Sequence, residues 1–251
     1  MEQPLDSQKL DQFLRPYPLE TRRPIVSLAF IAPMLLLYEL GILLLGNQAI
    51  RNGLDEMFRA QMYRMGLGEM IILPIITVAI LLSWHHLQKD RWSFRPRILA
   101  GMVVESIFLG LILLWAAKAQ QVLFDDSTVS VLSVGLNQFY SVQWWSNTVA
   151  FLGAGIYEEL VFRLLMLLPI VWIASQTIKF RKLVIIAGVV LTSLLFAMLH
   201  YQLLNPAGVS FEWGSFMIRF LASIFFCVVF LGRGFGVAVG THAAYDVLTQ
   251  L

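Results

Sequence analysis

Seven long apolar segments constrain the fold of this chain more than any other feature of its sequence. Most hold about 20 residues, the length that crosses the hydrocarbon core of a bilayer as a helix. Of the 251 residues, 58% are hydrophobic and 14% are charged, a composition unlike that of a soluble domain. The segments are residues 25–45, 69–87, 98–117, 148–173, 183–201, 215–231 and 235–251. The sequence therefore predicts an all-α, polytopic membrane bundle of about seven (six to eight) transmembrane helices.

The chain is expected to form one integral-membrane domain over residues 25–251, because no linker or repeat divides it. Residues 1–24 are polar and carry charges of both signs, so they do not resemble a cleavable signal peptide; they are predicted to be a cytoplasmic tail. Lysine and arginine are concentrated in this tail and in the connections on its side of the membrane. The positive-inside rule places the N-terminus inside and, with seven spans, the C-terminus outside. Residues 53–66 are predicted to form an amphipathic helix on the outer surface.

Charge and cysteine content exclude several other classes of protein. The net charge of +2 is too small to indicate binding to nucleic acid, and no basic patch interleaved with aromatic residues occurs. Cys227 is the single cysteine, so an intramolecular disulfide framework is excluded, and it is expected to be a buried small hydrophobic residue. The lipid bilayer is the partner that the composition predicts. The sequence gives no indication of an oligomeric state.

Two adjacent acids interrupt the fourth apolar segment. Glu158 and Glu159 are followed by Arg163, and an ionisable side chain in hydrocarbon costs roughly 2.5–3.5 kcal/mol on insertion scales. Glu159 and Arg163 are four residues apart, so they share a helix face and can pair. Glu158 is turned about 100° away, and we expect it to face a polar cavity as acid, base or ligand. The alternative is a buried ion-pair network that only holds helices together.

Two later segments each carry one histidine with a neighbour four residues away. Phe196 and His200 share one helix face, and so do His242 and Asp246. Asp246 can accept a hydrogen bond from one imidazole nitrogen and so orient the other, as is common for catalytic or metal-binding histidines. A lone histidine in a span is usually a packing residue. Two of them, one with a carboxylate partner, favour a functional role.

Other polar residues and glycines in the spans receive structural interpretations. The lone charges Glu39, Glu105 and Arg219 are expected to pair with one another or to line one wet cavity. Adjacent residues point about 100° apart on a helix, so His85 and His86 are expected to be interfacial. Four glycines are expected to permit close helix approach before His242; they are Gly232, Gly234, Gly236 and Gly240.

The three patterns together resemble one family of membrane proteins. In order they read Glu158-Glu159-x-x-x-Arg163, Phe196-x-x-x-His200 and His242-x-x-x-Asp246. This ordered set, within residues 148–251, resembles the CAAX prenyl endopeptidase and bacteriocin-processing (Abi-type) family of intramembrane proteases. The resemblance implies a helical membrane core that hydrolyses peptide bonds, with Glu158, His200 and His242 at its centre. It implies supporting roles for Glu159, Arg163 and Phe196.

Asp246 is a departure from one branch of that family. Prenyl endopeptidases of the family typically carry asparagine at this position, whereas many bacterial members carry aspartate. An amide can donate a hydrogen bond to an oxyanion, and an ionised carboxylate cannot. Asp246 is therefore expected to orient His242 or to bind a metal. This points away from prenylated substrates and towards a membrane-associated peptide or protein substrate of a bacterial cytoplasmic-membrane enzyme.

Two versions of hydrolysis fit these residues. In the preferred one, which requires no cofactor, Glu158 takes a proton from water, His200 helps to hold that water, and His242 faces the developing oxyanion. In the other, Glu158, His200 and His242 bind zinc with water in the fourth position, and Glu159 acts as base. The pattern HExxH of helical zinc proteases is absent.

Two classes without proteolysis compete with the hydrolase. One is a membrane scaffold, chaperone or immunity protein with the same fold. The other is a proton-coupled transporter, because intramembrane acids and histidines also form proton relays. Inverted repeats of broken helices would favour a transporter, and the sequence contains none.

Depth along the predicted spans gives a last expectation. At about 1.5 Å per residue, Glu158 and His242 lie near mid-membrane, but His200 lies close to the outer surface. The three can meet if segment 183–201 starts later or tilts, or if the segments carrying Glu158 and His242 are displaced outward. We predict outward displacement, with a water-filled cavity reaching the site, because an ionised Glu–Arg pair needs hydration or complete hydrogen bonding.

Overall fold

Helices dominate the structure, a computed structural model that describes residues 15–66, 72–124, 141–201 and 208–251. Within these ranges the one β-type pairing is an isolated bridge between Tyr201 and Val209, which confirms the all-α class. The helices are α1 (Tyr17–Glu20), α2 (Pro24–Leu45), α3 (Gly53–Arg64), α4 (Ile72–Gln88), α5 (Pro96–Phe124), α6 (Val142–Glu159), a π-helix (Leu160–Leu167), α7 (Leu168–Thr177), α8 (Arg181–Met198), α9 (Trp213–Arg233) and α10 (Phe235–Leu248).

Every predicted membrane segment coincides with a helix. By length and composition, five stretches are suited to cross a membrane: Pro24–Gln48, Pro96–Val122, Val142–Thr177, Arg181–Met198 and Trp213–Arg233. The apolar helix α4 has 17 residues and α10 has 14. This confirms a polytopic helical bundle. The predicted start of the second segment at residue 69 and most of the N-terminal tail lie outside the described residues.

Helix α3 covers one end of the bundle with its polar side facing inward. Asn52 caps this helix by accepting a hydrogen bond from the Leu54 N–H at 3.0 Å. Asp55 and Arg59 are buried, whereas Met57, on the opposite face, is exposed. The predicted helix is therefore present, but its polar face packs on the protein. Its position on a membrane surface stays a prediction.

Helix α10 lies at the centre of the bundle and packs against α2, α5, α6 and α9. A glycine permits its closest approach to α6: a Cβ on Gly155 would lie 2.9 Å from both the Ala243 Cβ and the Val239 carbonyl oxygen. At its start, Gly234 has a φ of 95°, which favours glycine. Close packing at Gly234, Gly236 and Gly240 confirms the expected role of these glycines, but a Cβ on Gly232 would meet no atom within 4 Å.

The three lone intramembrane charges do not pair with one another, so the pairing part of that expectation is wrong. Each has separate partners because their helices bring different polar groups beside them. Glu39 accepts from Arg59 of α3 at 2.7 Å, and Glu105 accepts from the Tyr17 hydroxyl at 2.8 Å. Arg219 donates to the Tyr201 hydroxyl at 3.2 Å.

The remaining histidines and the cysteine lie in the bundle as structural residues. His86 is exposed at the end of α4, as expected for an interfacial residue. His85 is fully buried and packs edge-on against Trp92, with ring centroids 4.4 Å apart. Its side chain therefore lies inside the protein, while the interfacial position of the two histidines stays a prediction. Cys227 is buried, as predicted.

Candidate active site

The helix that carries the two glutamates changes its winding immediately after them. Helix α6 ends at Glu159 and continues as the π-helix, which contains Arg163. The Leu168 N–H donates to the Arg163 carbonyl, five residues earlier. Single π-turns occur often at functional sites. The apolar periodicity of the segment gave no signal of this change.

Glu159 and Arg163 form the pair that their spacing predicts. Glu159 Oε2 lies 3.0 Å from Arg163 Nε, and neither side chain is exposed. Glu159 Oε1 accepts from His242 Nδ1 at 2.8 Å. Arg163 Nη2 donates to the Ser223 hydroxyl at 3.1 Å and to its carbonyl at 3.2 Å. Both oxygens of Glu159 are therefore engaged, one with α10 and one with its own helix.

Aromatic rings enclose the arginine and the second histidine. The Arg163 guanidinium carbon lies 4.9 Å from the Phe196 ring centroid and 5.5 Å from that of Phe226, within cation–π range. The Phe226 ring also stacks on His242, with centroids 4.4 Å apart and planes at 16°. Phe226 is one of 18 phenylalanines, and no spacing pattern distinguishes it. Sequence reasoning therefore missed this residue.

His200 follows the end of α8 and turns one nitrogen towards Glu158. Its Nδ1 lies 2.8 Å from the Phe196 carbonyl oxygen, and because a carbonyl only accepts, Nδ1 carries the proton. Its Nε2 lies 4.0 Å from Glu158 Oε2. The side chain is 33% exposed, which makes it the most accessible of the three central residues.

His242 is held between carboxylates on both sides of its ring. Glu159 accepts from Nδ1, while Nε2 lies 3.9 Å from Glu158 Oε2 and 3.4 Å from Asp246 Oδ2. Asp246 thus lies beside the ring, as its spacing predicts. However, it faces the same nitrogen as Glu158, and the opposite nitrogen is held by Glu159. The contact between Glu159 and His242 joins two helices, and sequence spacing did not predict it.

The two carboxylate oxygens of Glu158 face different residues. Oε1 accepts a hydrogen bond from Asn52 Nδ2 at 2.7 Å. Oε2 lies near the Nε2 atoms of His200 and His242. The structure therefore brings the three predicted central residues together, while their catalytic roles stay predictions. Asn52 was missed, because the connection that carries it shows no motif.

The donor atoms of these three residues match zinc ligands in kind. Each histidine donates its Nδ1 proton elsewhere and turns Nε2 inward, as metal-binding histidines commonly do. Tetrahedral zinc would space its donor atoms about 3.4 Å apart, whereas a water hydrogen-bonded to two partners spaces them about 4.6 Å apart. The observed 3.9 and 4.0 Å lie between these values. Among the described residues, no group of three or more histidine, cysteine, aspartate or glutamate side chains is arranged so that it could hold a metal ion.

The site lies towards the end of the bundle that α3 covers. Asn52 belongs to the connection after α2, and His200 follows the last turn of α8. Helix α8 begins at Arg181, so a later start of this span does not explain how the three residues meet. Helix α6 begins at Val142, earlier than predicted, and the Ser146 hydroxyl donates to the Gln48 carbonyl at 2.6 Å. The depth of the site in a bilayer stays a prediction.

The C-terminal part of the chain is similar to a known protein family. Residues 140–248 match a family model described as Rce1-like, type II CAAX prenyl endopeptidase Rce1-like. This range contains all the motif residues and confirms the family resemblance that they indicated. The match supports a protease and, with the apolar helices, an integral membrane protein. No curated protein and no solved structure matches the chain.

Proposed function

Because residues 140–248 match the Rce1-like family model, we propose that this protein is an intramembrane endopeptidase that acts through a water activated by Glu158. The substrate is a membrane-associated peptide or protein. The observation that carries this proposal is the approach of Glu158 Oε2 to Nε2 of His200 and of His242, at 4.0 and 3.9 Å. A water between these atoms would have a base on one side and two imidazoles on the others.

Peptide hydrolysis at this site needs an activated water, a stabilised oxyanion and a proton for the leaving amine. The water oxygen attacks the scissile carbonyl carbon while Glu158 takes the water proton. In its doubly protonated form, with Nδ1–H bonded to Glu159, His242 presents Nε2–H to the developing oxyanion. The C–N bond then breaks, and the proton on Glu158 passes to the leaving amine. The Nδ1–H of His200 donates to the Phe196 carbonyl. Its Nε2 is therefore free of a proton and accepts a hydrogen bond that helps to hold the water.

Glu159 and Arg163 support this chemistry without taking part in proton transfer. Glu159 has no exposed surface, and its oxygens are engaged by His242 and Arg163. A residue in this position cannot reach a water beside the histidines. The zinc version of the mechanism assigned the role of general base to Glu159. That role therefore fits poorly with the buried, paired position of this residue.

A metal version of the same site uses the same three residues as ligands. Glu158, His200 and His242 would hold zinc after closing by about half an ångström, and the ion would polarise the scissile carbonyl and its bound water. We propose that the protein works without it. Activity in protein stripped with a chelator is expected to equal that of untreated protein. Loss of hydrolysis on chelation, with recovery on adding zinc, would contradict the metal-free version.

The substrate is proposed to differ from the prenylated proteins in the family's name. Asp246 stands beside His242 Nε2 at 3.4 Å, and an ionised carboxylate there cannot donate to an oxyanion. We propose an unprenylated, hydrophobic peptide as substrate. Purified protein in liposomes should be supplied with a farnesylated CAAX peptide and, in parallel, with a library of peptides from bacterial membrane proteins. Cleavage restricted to the farnesylated peptide would contradict this substrate class.

The central experiment compares wild-type protein with Glu158→Gln. We expect hydrolysis to fall by about 10²–10⁴-fold, the usual contribution of a general base, with an unchanged amount of folded protein. The readout is mass spectrometry of new peptide termini, both in liposomes and in membranes of cells that carry either form. Glu56→Gln, the same change at an exposed site on α3, is the matched control. Full function of Glu158→Gln would favour the scaffold instead.

A further inference from the structure

Asn52 makes a direct hydrogen bond to the central glutamate from outside the family segment. It lies in the connection between α2 and α3, and its Nδ2 donates to Glu158 Oε1 at 2.7 Å. Both residues are largely buried, with 9% and 8% of their surface exposed. Resting on the proposed function, we infer that Asn52 is a positioning residue that fixes the Glu158 carboxylate for attack by water.

The orientation of the Asn52 amide follows from its second contact. Its Oδ1 accepts from the Leu54 N–H at 3.0 Å and caps α3. The oxygen is thereby assigned to the cap, so the amide NH₂ is the group that faces the carboxylate. A flipped amide would place two acceptors against each other and would leave the N–H of Leu54 without its cap. One side chain therefore joins the start of α3 to the base.

The contact with Asn52 makes the two carboxylate oxygens of Glu158 inequivalent. Oε1 is occupied by the amide, so Oε2 is the oxygen that faces His200 and His242. A glutamate carboxylate rotates broadly about its last torsion. Within the described residues, the contact that restricts this rotation is the bond from Asn52. Holding the base in one orientation raises the fraction of molecules in which water is poised for attack.

Helix α3 is itself anchored beside this contact, which keeps Asn52 in place. Asp55 accepts from Arg59 Nε at 2.6 Å and from the Tyr38 hydroxyl at 2.5 Å. Arg59 also reaches Glu39 at 2.7 Å. The buried polar face of α3 thus holds the helix on α2 independently of Asn52. Changes at Asn52 can therefore be made while these anchors remain.

Serine and aspartate at this position separate the cap from the contact with Glu158. Both cap helices well, but Asn52→Ser removes the amide donor, and Asn52→Asp replaces it with a second carboxylate. With the first library peptide found to be cleaved as substrate, we expect kcat to fall on the order of 10–100-fold for serine and further for aspartate. KM should change less than about 3-fold, because binding is left intact. A residue that serves only as a cap would leave kcat unchanged in both variants.

Asn147 supplies the matched controls. Its side chain accepts from Gln143 at 2.9 Å in an exposed pair on α6, away from the carboxylate. Asn147→Ser and Asn147→Asp should keep wild-type kcat and KM. Equal losses of kcat at the two asparagines would overturn the inference, since the effect would then be a general consequence of the substitution.

A stability measurement decides the inference even if no peptide is cleaved. Melting temperatures of detergent-purified protein are measured for Asn52→Ser, Glu158→Met and the double variant. Since the methionine cannot accept the hydrogen bond, Asn52→Ser should lower the melting temperature in the wild-type background by at least twice as much as beside Glu158→Met. Additive shifts would overturn the inference. Absence of cleavage by wild-type protein, with non-additive shifts, would reject the proposed function but not the positioning of the Glu158 carboxylate by Asn52.

Discussion

Two ionic clusters lie in different parts of the bundle, and they differ in the balance of their charges. The terminal cluster lies at the start of α2 and consists of Arg15, Glu20, Arg23, Asp90 and Arg91. The site cluster lies farther along the bundle, on α6, the π-helix and α10 and just after α8, and consists of Glu158, Glu159, Arg163, His200, His242 and Asp246. In the terminal cluster arginines outnumber acids. In the site cluster acids outnumber the single arginine.

The terminal cluster satisfies each of its acids. Arg23 is 3% exposed and contacts Glu20 at 3.0 Å and Asp90 at 2.8 Å. It also donates to the Ser93 carbonyl at 2.8 Å. Hydrogen bonds between ionised partners are about twice as strong as neutral ones. This cluster therefore ties the start of α2 to the connection after α4, which is a structural role.

The site cluster satisfies Glu159 and leaves Glu158 with a neutral donor. Glu158 accepts from the amide of Asn52, and its nearest imidazole nitrogens lie 3.9 and 4.0 Å away. A buried carboxylate without a direct cationic partner is costly, and such sites are typical of function. The balance of acids and cations, more than burial, therefore separates the structural cluster from the candidate active site.

The largest effect on stability is expected where a buried pair is broken. Arg163→Met leaves Glu159 buried without its cation, which should cost about 3–5 kcal/mol. Arg15→Met in the terminal cluster, where the side chain is 37% exposed, should cost at most about 1 kcal/mol. Chemical denaturation in detergent measures both. The double variant Glu159→Gln with Arg163→Met should regain most of the loss. Equal losses in the free energy of unfolding at the two arginines would contradict the assignment of Arg163 to a buried ion pair with Glu159.

An opposite response is expected when one acid in each cluster is made neutral. Glu20→Gln weakens contacts to Arg23 and Arg91 and should lower stability by about 1.5–3 kcal/mol. Glu158→Gln keeps an acceptor for Asn52 and removes a buried charge, so stability should stay equal or rise. Melting temperatures of the two variants, measured side by side, provide the test. A fall for Glu158→Gln as large as that for Glu20→Gln would remove the contrast between the clusters.

The smallest expected effect is a pH dependence of the terminal cluster. Burial raises the pKa of Asp90, but hydrogen bonds from the Arg91 N–H and from Arg23, with the charge of Arg15, outweigh it and leave the pKa lowered. A lowered pKa in the folded state gives stability that is present above the unfolded value of about 3.9. This stability is lost as pH falls through the folded value.

The gap in melting temperature between wild type and Asp90→Asn should therefore stay constant from about pH 6 to 8. It should shrink below about pH 4. The exposed change Glu56→Gln controls for general effects of losing one charge. A gap of the same size at pH 3 and pH 7 would show that Asp90 does not contribute as an ionised partner.

Spacing within one helix predicted part of the site correctly. Glu159 and Arg163 pair at four residues apart, and Asp246 lies beside His242 for the same reason. The helical period alone brings such residues to one face, so sequence is sufficient. The contacts of Asn52 with Glu158 and of Glu159 with His242 span 106 and 83 residues. No local period relates residues that far apart.

Helix α3 shows where a local pattern was misleading. Its mixed apolar and charged residues predicted an amphipathic helix on the outer surface. The structure buries Asp55 and Arg59 instead, because Tyr38 and Glu39 on α2 offer them partners. Because Glu39 pairs with Arg59, it does not pair with Arg219, and Glu105 has separate partners.

The sequence by itself determined the helical membrane class and the set of side chains available for chemistry. Both follow from local properties. A segment of about 20 apolar residues forms a helix in a bilayer, and ionisable residues within such a segment are costly and typically functional. Only the tertiary structure decided which nitrogen or oxygen of each residue faces the others. The approach of α10 to α6 at Gly155 and the π-helix after Glu159 set those directions, because the orientation of a side chain depends on how whole helices pack.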